Sequence, residues 1–585
     1  MNDIASRPTA AKPVFTTDMP KPDGIRDTIE SIVVAFILAF VFRAFVVEAF
    51  VIPTGSMAPG LHGKHAQHRC GVCNYSFSYG IRESILLPQN RLITGTLENK
   101  GGFFVRCPNC GWNGDGNDNL NTSSETRITG DSGDRILVLK WPYDVGGALL
   151  GPKRWDVVVF KDPQDGETNF IKRLIGLPGE VLELIDGDVY AAPAKDIPAD
   201  IRDALSKPPT PGNSDFRRLN SDQELRLAKS LTIQRKTKIA QESLWILHYN
   251  HDFKPDLSLM QTSPGFHPPY WHAKSGDAGS DWDASTPVIR FTPKSDTEQW
   301  IELVGRPIQD QYAYNDVSMI PSNPINVGDV RLKFVLFPEL AKMTAQPTDG
   351  SLMLALRKGF DEFDIRIQTD GTVIMERPGE RGIKRELDRG KTNAFATGKP
   401  IEVEYENLDY RVSLRINGEE VIATKDSDYS PNMRQLLERP YRDGRYSQAA
   451  VMIGAKNLPL ELRHVAVHRD VFYRSDCELD SESPAGRHNP YARYPGWGTA
   501  TNPILLRDGP PDYFCCGDNS PQSKDSRMWS DVSPLLIERG DYQNGTVPGD
   551  QMIGQAFFVY WPSGYRFSAD TPAVIPNVGR MRIIR

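Results

Sequence analysis

A serine and a lysine stand out in this sequence because together they could perform nucleophilic catalysis. Ser56 lies in the segment Ile52-Pro53-Thr54-Gly55-Ser56-Met57, directly after a hydrophobic stretch, and Lys172 lies in the later segment 170–180. A serine hydroxyl becomes an effective nucleophile only when a base accepts its proton, and a lysine amine can be that base only in its neutral form. The pair therefore indicates a hydrolase that works by acyl transfer.

The residues around Lys172 favour a neutral amine. The pKa of an exposed lysine is about 10.4, and burial in an apolar site can lower that pKa by several units. The apolar residues that flank Lys172 are Phe170, Ile171, Leu174 and Ile175. Because alternate side chains of a strand point to opposite faces, Arg173 is expected to point away from Lys172.

The hydrophobic run before Ser56 predicts one membrane helix over residues 28–47. Extension through Val47 gives the length of about 20 residues that a bilayer span requires. A cleaved signal peptide is the first alternative, but the long polar leader and the lack of a small-residue cleavage site argue against it. A buried core helix is the second. The basic residues before the run favour a cytoplasmic tail over 1–27, which leaves the rest of the chain outside the cytoplasm.

Several segments resemble bacterial type I signal peptidases, which are membrane proteases with a Ser/Lys dyad. They follow one another in the expected order, and the last keeps an S-x-D-S-R spacing. The segments are 43–57, 134–140, 155–160, 170–180 and 517–527. The resemblance covers residues 28–62, 131–190 and 511–563, less than a third of the 585-residue chain.

The resemblance implies roles for the residues of the dyad. Ser56 is the nucleophile, and Lys172 is the general base. The hydroxyl of Thr54 and the backbone N–H of Ser56 hold the oxyanion, and one such donor is worth about 3 kcal/mol. Gly55, which lacks a side chain, is expected to let the backbone approach a substrate closely.

The resemblance also implies a supporting shell around the dyad. Ser523 is expected to hydrogen-bond the Lys172 amine and orient it. Asp525 and Arg527 are expected to form an ion pair that supports the site, and Asp518 is expected to belong to the same shell.

The implied substrate is the signal peptide of an exported precursor, held in the lipid bilayer with its cleavage site at the surface. Shallow apolar pockets near Ile52, Pro53 and Met57 would accept small side chains, typically Ala, at the first and third positions before the cut. The implied location is the plasma (inner) membrane, with a single span and the catalytic domain on the extracytoplasmic side. Catalysis of this kind needs no cofactor.

Two C-x-x-C pairs in the insertion 63–130 resemble a zinc ribbon. They consist of Cys70 with Cys73 and Cys107 with Cys110. Four thiolates in a tetrahedral array satisfy Zn²⁺, so the metal would be structural. Two disulfides are the alternative, although a bridge within a C-x-x-C closes a very small loop and adds little stability.

The longest insertion separates residue 190 from residue 511. Residues 191–285 have a mixed, irregular pattern. Residues 286–474 alternate apolar and polar side chains between turns such as Asn417-Gly418, which predicts antiparallel hairpins and a two-sheet sandwich. The run 411–421 resembles concanavalin- and laminin-G-like jelly rolls at the level of fold only. A glycan ligand, a protein ligand and a purely structural role stay open.

The composition limits the other classes of function. The length requires several domains, and a net charge of −7 gives no reason to expect a nucleic-acid partner. The predicted fold is mainly β: an N-terminal transmembrane helix, an antiparallel β catalytic domain and an inserted β-sandwich. The catalytic domain is expected over 48–62, 131–190 and 500–585. A disulfide from Cys477 to Cys515 or Cys516 would tie the sandwich to this domain, and a redox role is the alternative.

Two other functions compete with the signal peptidase hypothesis. A self-cleaving, repressor-like Ser/Lys protease shares the dyad, but such proteins are soluble and carry a DNA-binding part. A membrane-anchored binding or adhesion protein could retain an inactive protease scaffold. The intact Ser56, Lys172, Ser523 and Asp525 argue against that loss of activity.

Overall fold

The computed structural model describes most of the chain, and its described residues carry every structural statement below. They are 24–80, 91–93, 105–114, 127–129, 131–145, 147–207, 218–262, 266–274, 280–312, 314, 324–342, 350–379, 383–438, 448–475, 496–499, 502–529, 531–540, 542–564 and 575–584. Cys477, and with it the predicted late disulfide, lies outside them.

A single apolar helix, Gly24–Phe45, opens the described part of the chain, as predicted. The mean hydropathy of its most apolar 18 residues is 2.1, and none of its residues is buried in the protein. At 1.5 Å per residue its 22 residues span about 33 Å, enough to cross the bilayer core. The helix begins four residues before the predicted position 28. It ends at Phe45 because Val47 already begins a strand. An apolar helix that no other described residue buries fits a single-pass membrane anchor.

The sheet that carries Lys172, here the core sheet, follows the helix directly. All its strand pairs are antiparallel. In spatial order its strands are Val47–Val51, Arg135–Leu139, Met552–Trp561, Val157–Lys161, Asn169–Gly176, Asp512–Cys516 and Val547–Pro548, with Arg582–Ile583 beside Met552–Trp561. Strands from both ends of the chain therefore meet in one sheet.

A second, four-stranded sheet connects the core sheet with the long insertion. Its strands in order are Thr232–Ile233, Asp188–Pro193, Glu180–Ile185 and Ile504–Leu505. The other described α-helices are short: Trp141–Val145, Gly147–Leu150, Ala199–Leu205, Ser221–Ser230, Lys238–Leu244, Leu259–Thr262, Met433–Glu438 and Pro534–Arg539. Ser221–Ser230 begins with a capping box, in which Asn220 and Gln223 satisfy each other's backbone N–H groups.

The described part of the cysteine-containing insertion forms two small hairpins and one further antiparallel strand pair. They pair His65–Arg69 with Ser76–Gly80, Val105–Arg106 with Asn113–Gly114, and Arg91–Ile93 with Arg127–Thr129. The first two hairpins each carry one C-x-x-C pair in the connecting turn.

The long insertion contains two large antiparallel sheets. One has the order Trp282–Asp283, Ile289–Phe291, Leu460–Arg469, Val330–Pro338, Ile401–Leu408, Arg411–Ile416 and Glu419–Ala423, with Ile246–Asn250 also beside Leu460–Arg469. The other has the order Tyr270–Ala273, Gln299–Val304, Ala449–Lys456, Ser351–Lys358, Asp361–Gln368, Thr372–Pro378 and Lys384–Lys391.

The alternating pattern explains how these two sheets pack as a sandwich. Along Val330–Pro338, the side chains of Leu332, Phe334 and Leu336 are all buried. They share one apolar cluster with Leu354 and Phe363 of the opposite sheet. Burying one face of each sheet against the other is the arrangement expected for period-two alternation. The chain is thus mainly β, as its sequence predicted.

The sandwich starts earlier in the chain than the expected residue 286. Ile246–Asn250, Tyr270–Ala273 and Trp282–Asp283 all pair with its strands. Within the segment 241–248, the helix Lys238–Leu244 ends before Trp245, and the strand begins at Ile246. Short apolar runs of this kind do not distinguish helix from strand by periodicity.

A buried ion cluster joins the sandwich to the four-stranded sheet. Lys236, which follows the strand Thr232–Ile233, lies 2.7 Å from a carboxylate oxygen of Asp409 and 2.7 Å from one of Asp470. Burial opposes the charge of this amine, but the two carboxylates outweigh that effect and raise the pKa of Lys236. Lys358 likewise pairs with Asp329 at 2.6 Å.

Replacement of Lys236 is expected to weaken this junction. The change Lys236→Met leaves two buried carboxylates without their shared cation, and loss of one partner of a buried pair costs about 3–5 kcal/mol. We expect a clearly lower melting temperature in a thermal unfolding scan of the full chain in detergent. The exposed Arg226, which pairs with Asp200, is the control. An equal melting temperature for Arg226→Met and Lys236→Met would contradict a stabilising role of the buried cluster.

Candidate active site

Ser56 and Lys172 meet although 116 residues separate them in sequence. The Nζ atom of Lys172 lies 2.8 Å from the Oγ atom of Ser56. Ser56 is 7% exposed and Lys172 is 4% exposed, so the two groups share a largely water-free site. The Lys172 amine also donates to the carbonyl of Ile171 at 3.1 Å. This arrangement permits direct proton transfer from the hydroxyl to a neutral amine.

The surroundings of the Lys172 amine favour its neutral form. Burial lowers the pKa of Lys172, while the negative charge of Asp525 opposes the shift without cancelling it. Because the charged form loses its hydration in such a site, the amine gives up its proton more readily than an exposed lysine does.

The core sheet and the segment 517–527, here the late loop, position the two groups. Lys172 lies on Asn169–Gly176, which pairs with Val157–Lys161 on one side and Asp512–Cys516 on the other. Ser56 lies in the loop that follows Val47–Val51. Asn519 holds that loop: its backbone N–H donates to the Ser56 carbonyl at 3.0 Å, and its side-chain amide donates to the Gly55 carbonyl at 3.1 Å.

Gly517 permits the close contact between the late loop and the loop that carries Ser56. A Cβ atom at Gly517 would lie 2.2 Å from the Ser523 hydroxyl and 2.5 Å from the Ser56 carbonyl oxygen. Any side chain there would push these loops apart. The predicted segment 517–527 therefore contacts the dyad directly.

The predicted oxyanion residue Thr54 and the predicted pocket residues differ in how far their side chains are exposed to solvent. The Thr54 hydroxyl lies 3.5 Å from Ser56 Oγ on an exposed side chain. Ile52 and Met57 are buried in an apolar cluster with Leu61 and Ile136, whereas Pro53 is exposed. In this structure only Pro53 of the three predicted pocket residues presents a substantial surface.

Ser523 does not make the hydrogen bond that was expected of it. Its hydroxyl is buried beside the site, but it forms no hydrogen bond to the Lys172 amine. The amine instead uses the carbonyl of Ile171, the preceding residue on the same strand. The Ser523 side chain instead packs against Gly517, and its hydrogen bond to Asp525 helps to lower the pKa of that carboxyl.

Asp525 and Arg527 form the expected ion pair behind the dyad. The guanidinium donates to both carboxylate oxygens, at 2.8 and 2.7 Å, and both side chains are fully buried. Burial opposes ionisation of Asp525, but Arg527 outweighs it and keeps the pKa of Asp525 below its usual value. Arg527 also donates to the Ser520 hydroxyl and to the Arg474 carbonyl.

Asp518, which was expected in the supporting shell, forms an ion pair with Arg173. It accepts two hydrogen bonds from Arg173, both at 2.8 Å, and Arg173 is 1% exposed. Arg173 does point away from Lys172, but into the protein on the other side of the sheet. The burial pattern of its strand, with both faces covered, is the reason. Sequence reasoning missed this residue because a Lys-Arg pair on a strand is usually solvated.

Tyr314 occupies the space over Gly55 that was expected to admit substrate. A Cβ atom at Gly55 would meet three atoms of the Tyr314 ring, the nearest at 2.2 Å. Tyr314 belongs to the long insertion and is 5% exposed. No motif pointed to it, because an isolated tyrosine between strands carries no sequence signal.

The four predicted metal-ligating cysteines come together in one cluster. The Sγ atoms of Cys70, Cys73, Cys107 and Cys110 all lie within 4.8 Å of one another, and none of the four is in a disulfide. Two of the sulfur–sulfur distances are 3.6 and 3.7 Å. Tetrahedral Zn²⁺ with bonds of about 2.3 Å requires sulfur–sulfur distances of about 3.8 Å. The cluster is therefore compatible with a structural metal site.

The two cysteine turns have the same backbone hydrogen bonds. In the first turn, the Cys70 N–H donates to the Tyr75 carbonyl, and the Cys70 carbonyl accepts from the Asn74 N–H. In the second turn, the Cys107 N–H donates to the Trp112 carbonyl, and the Cys107 carbonyl accepts from the Gly111 N–H. Asn74 and Gly111 have φ values of 61° and 76°, which turns each chain back sharply after its second cysteine. Both turns thus present two thiols to the same point.

Comparison with protein families supports the resemblance seen in the sequence. A family model described as signal peptidase, peptidase S26, matches residues 120–254 and 483–561. The chain is similar to signal peptidases. Lys172, Asp518, Ser523 and Asp525 lie within the matched residues, and Ser56 lies before them.

Individual relatives match over limited regions. A signal peptidase I of Rickettsia bellii (strain OSU 85-389) is 24% identical over 165 residues, which are 28% of this chain and 37% of the relative. A signal peptidase I of Rickettsia typhi is 54% identical over 39 residues, which are 7% of this chain and 15% of the relative. The matched regions thus span well under half the length of these curated relatives.

Solved structures resemble part of the chain only weakly. A carbohydrate binding module, CBM66 from Bacillus subtilis, aligns with a TM-score of 0.23 and 10% identity, covering 34% of this chain and 94% of that one. Sheep galectin-11 aligns with a TM-score of 0.16 and 16% identity, covering 25% of this chain and 94% of that one. At these TM-scores the likenesses carry no argument about a ligand.

Proposed function

We propose that this protein is a membrane-anchored serine endopeptidase that removes signal peptides from exported precursors. The distance of 2.8 Å between the Lys172 amine and the Ser56 hydroxyl, inside a buried site, carries the proposal. The similarity to signal peptidases supports the choice of substrate, and the apolar helix Gly24–Phe45 supports attachment to the membrane.

In the proposed mechanism, Ser56 Oγ attacks the carbonyl carbon of the scissile peptide while Lys172 Nζ takes its proton. The Ser56 N–H and the Thr54 hydroxyl stabilise the oxyanion. The tetrahedral intermediate collapses, and the C–N bond breaks as Lys172 returns the proton to the leaving amine. Lys172 then removes a proton from water, which attacks the ester. As the C–O bond to Ser56 breaks, Lys172 returns this proton to Ser56 Oγ and the signal peptide is released. The Lys172 amine ends the cycle neutral, as it began.

The position of Ser56 suits a substrate that lies in the bilayer. The strand Val47–Val51 connects the end of the apolar helix with the Ser56 loop. The nucleophile is therefore only a few residues of extended chain from the membrane boundary. We place the catalytic domain on the extracytoplasmic side of the plasma (inner) membrane, where the cleavage site of an exported precursor emerges.

We also propose that Cys70, Cys73, Cys107 and Cys110 hold a structural Zn²⁺. Four thiolates close the coordination shell of the ion, so this metal has no open position for catalysis. The ion would fix the relative position of the two hairpins that carry the cysteines. For the sandwich we propose a structural role, with a concanavalin/laminin-G-like jelly-roll fold.

Removal of either dyad residue is expected to abolish processing. Ser56→Ala and Lys172→Ala should each lower kcat for cleavage of an exported precursor by at least the ~10²- to 10⁴-fold contribution of a general base. Lys195→Ala, which changes an exposed lysine outside the site, is the control. Initial rates of precursor cleavage in detergent provide the measurement. Equal, measurable rates for Lys172→Ala and the parent would exclude Lys172 as the base, whereas no cleavage by the parent would leave an inactive binding scaffold as the better hypothesis. Cleavage of the chain itself, instead of the precursor, would favour the self-cleaving class.

The activity is expected to depend on pH through Lys172. The base must be neutral, so kcat/KM should rise with pH through the lowered pKa of this amine. Asp525 raises that pKa, so Asp525→Asn should lower it further and move the rise in activity to lower pH. Asp196→Asn, which removes an exposed charge, should leave the profile in place. A profile of Asp525→Asn that is unchanged, or shifted to higher pH, would contradict Lys172 as the titrating base.

The cysteine cluster is expected to determine the zinc content of the protein. The purified full chain should contain about one zinc per molecule, and Cys73→Ser should lower this because only three thiolates remain. Cys515→Ser, which alters a buried cysteine outside the cluster, should keep the metal. Elemental analysis by mass spectrometry measures the zinc. A metal-free protein whose intact mass lies four hydrogens below the mass of the fully reduced chain would instead show two disulfides.

A further inference from the structure

The ring of Tyr314 contacts the nucleophile loop, the segment 52–64 that carries Ser56, at Gly55. The three atoms nearest to a Cβ placed on Gly55 all belong to Tyr314, at 2.2, 2.5 and 3.3 Å. The φ angle of Gly55 lies outside the left-handed region, so its backbone conformation would accept an ordinary side chain. Glycine is required at position 55 because Tyr314 fills the space.

The polar groups of Tyr314 tie the same loop to the first cysteine hairpin. Its hydroxyl donates to the Lys64 carbonyl at 2.9 Å, and its carbonyl accepts from the Gly80 N–H at 3.2 Å. The Lys64 N–H in turn donates to the Pro53 carbonyl at 3.3 Å, three residues before Ser56. One side chain thus bridges both ends of the nucleophile loop and the last strand of the hairpin.

Gly80 packs closely against the same edge of the Tyr314 ring. A Cβ atom there would lie 2.7 Å from the Tyr314 ring and 2.8 Å from the Tyr314 carbonyl. The ring of His62 lies on another side, with 5.7 Å between ring centroids. Tyr314 is therefore enclosed by the nucleophile loop, the segment after it and the hairpin.

The base of the segment that carries Tyr314 is anchored in the supporting shell of the active site. Asp310 accepts from the Ile325 N–H at 3.0 Å and forms an ion pair with Arg474 at 2.7 Å. The carbonyl of Arg474 accepts from Arg527 at 3.0 Å, and Arg527 pairs with Asp525. The sandwich thus reaches the site at two places, through Tyr314 at the nucleophile loop and through Arg474 at the shell.

We propose that Tyr314 is a positioning residue for Ser56, supplied by the sandwich insertion. It acts through Gly55 and Lys64, holds the loop in the geometry that places Ser56 Oγ next to Lys172, and does not touch the reacting atoms. This inference rests on the proposed peptidase function for its kinetic consequence. Its structural consequence, an ordered nucleophile loop, does not depend on that function.

The kinetic test compares two substitutions of Tyr314 with a matched tyrosine. Tyr314→Leu removes the ring, and a nucleophile displaced by about 1 Å can lose about 100-fold in rate, so kcat should fall up to that extent with KM little changed. Tyr314→Phe keeps the ring and should retain most of kcat. Tyr405→Phe is the control, because its buried hydroxyl donates to the Phe363 carbonyl at 2.8 Å within the sandwich. A Tyr314→Leu enzyme with the parent kcat would overturn the proposal.

A pair of compensating changes tests the contact itself. Gly55→Ala places a methyl group into the Tyr314 ring and should lower kcat strongly. In the Tyr314→Leu background the same alanine meets a smaller, flexible side chain, so its additional effect should be several-fold smaller. Equal effects of Gly55→Ala in both backgrounds would show that Tyr314 does not restrain this loop.

Amide hydrogen exchange separates failure of this inference from failure of the proposed function. In Tyr314→Leu, peptides that cover residues 52–64 should exchange faster than in the parent, whereas peptides from the sandwich strand Val330–Pro338 should not. This readout requires no peptidase activity. Unchanged exchange over 52–64 would overturn the positioning role even if Ser56 and Lys172 prove catalytic. Faster exchange would support that role even if no precursor is cleaved.

Discussion

The structure depends on one constraint: the amine of Lys172 must lose most of its contact with water and still reach the hydroxyl of Ser56. A strand in the middle of a sheet meets both requirements, because its neighbours on either side exclude solvent and hold it rigidly. The alternation of the strand then assigns opposite surroundings to adjacent residues. Lys172 enters an apolar site next to a hydroxyl, and Arg173 enters the opposite side and meets a carboxylate.

The buried arginine and aspartate side chains around this site pair with each other and not with Lys172. Arg527 neutralises Asp525, Asp518 neutralises Arg173, and both pairs have bidentate geometry. Among the described residues, the hydrogen-bond partners of the Lys172 amine are a hydroxyl and a carbonyl, neither of which carries charge. A carboxylate in direct contact would stabilise the ammonium form. Asp525 raises the pKa of Lys172 only from longer range, and Asp525 itself forms its ion pair with Arg527.

The two insertions contact the part of the chain that carries Ser56 and Lys172. The cysteine hairpin continues from the nucleophile loop, the sandwich contributes Tyr314 to that loop, and Arg474 connects the sandwich with Arg527. The ion cluster around Lys236 closes the junction from the other side. Because these contacts are buried and specific, the insertions contribute to the rigidity that a preorganised site needs. They are structural parts of the site whether or not the sandwich also has a ligand.

Local sequence was sufficient wherever the signal was local. The apolar run before Ser56 predicted the N-terminal helix, period-two alternation and Asn417-Gly418 predicted the hairpins, and the spacing of the C-x-x-C pairs predicted the cysteine cluster. The helix ends and the start of the sandwich at Ile246 were missed, because capping and strand pairing decide such limits. Tertiary structure alone decided that Arg173 is buried on Asp518, that Ser523 leaves the Lys172 amine to a carbonyl, and that Tyr314 fills the space over Gly55. Each of these contacts joins residues far apart in the chain, and which distant side chain fills a given space depends on how the sheets pack.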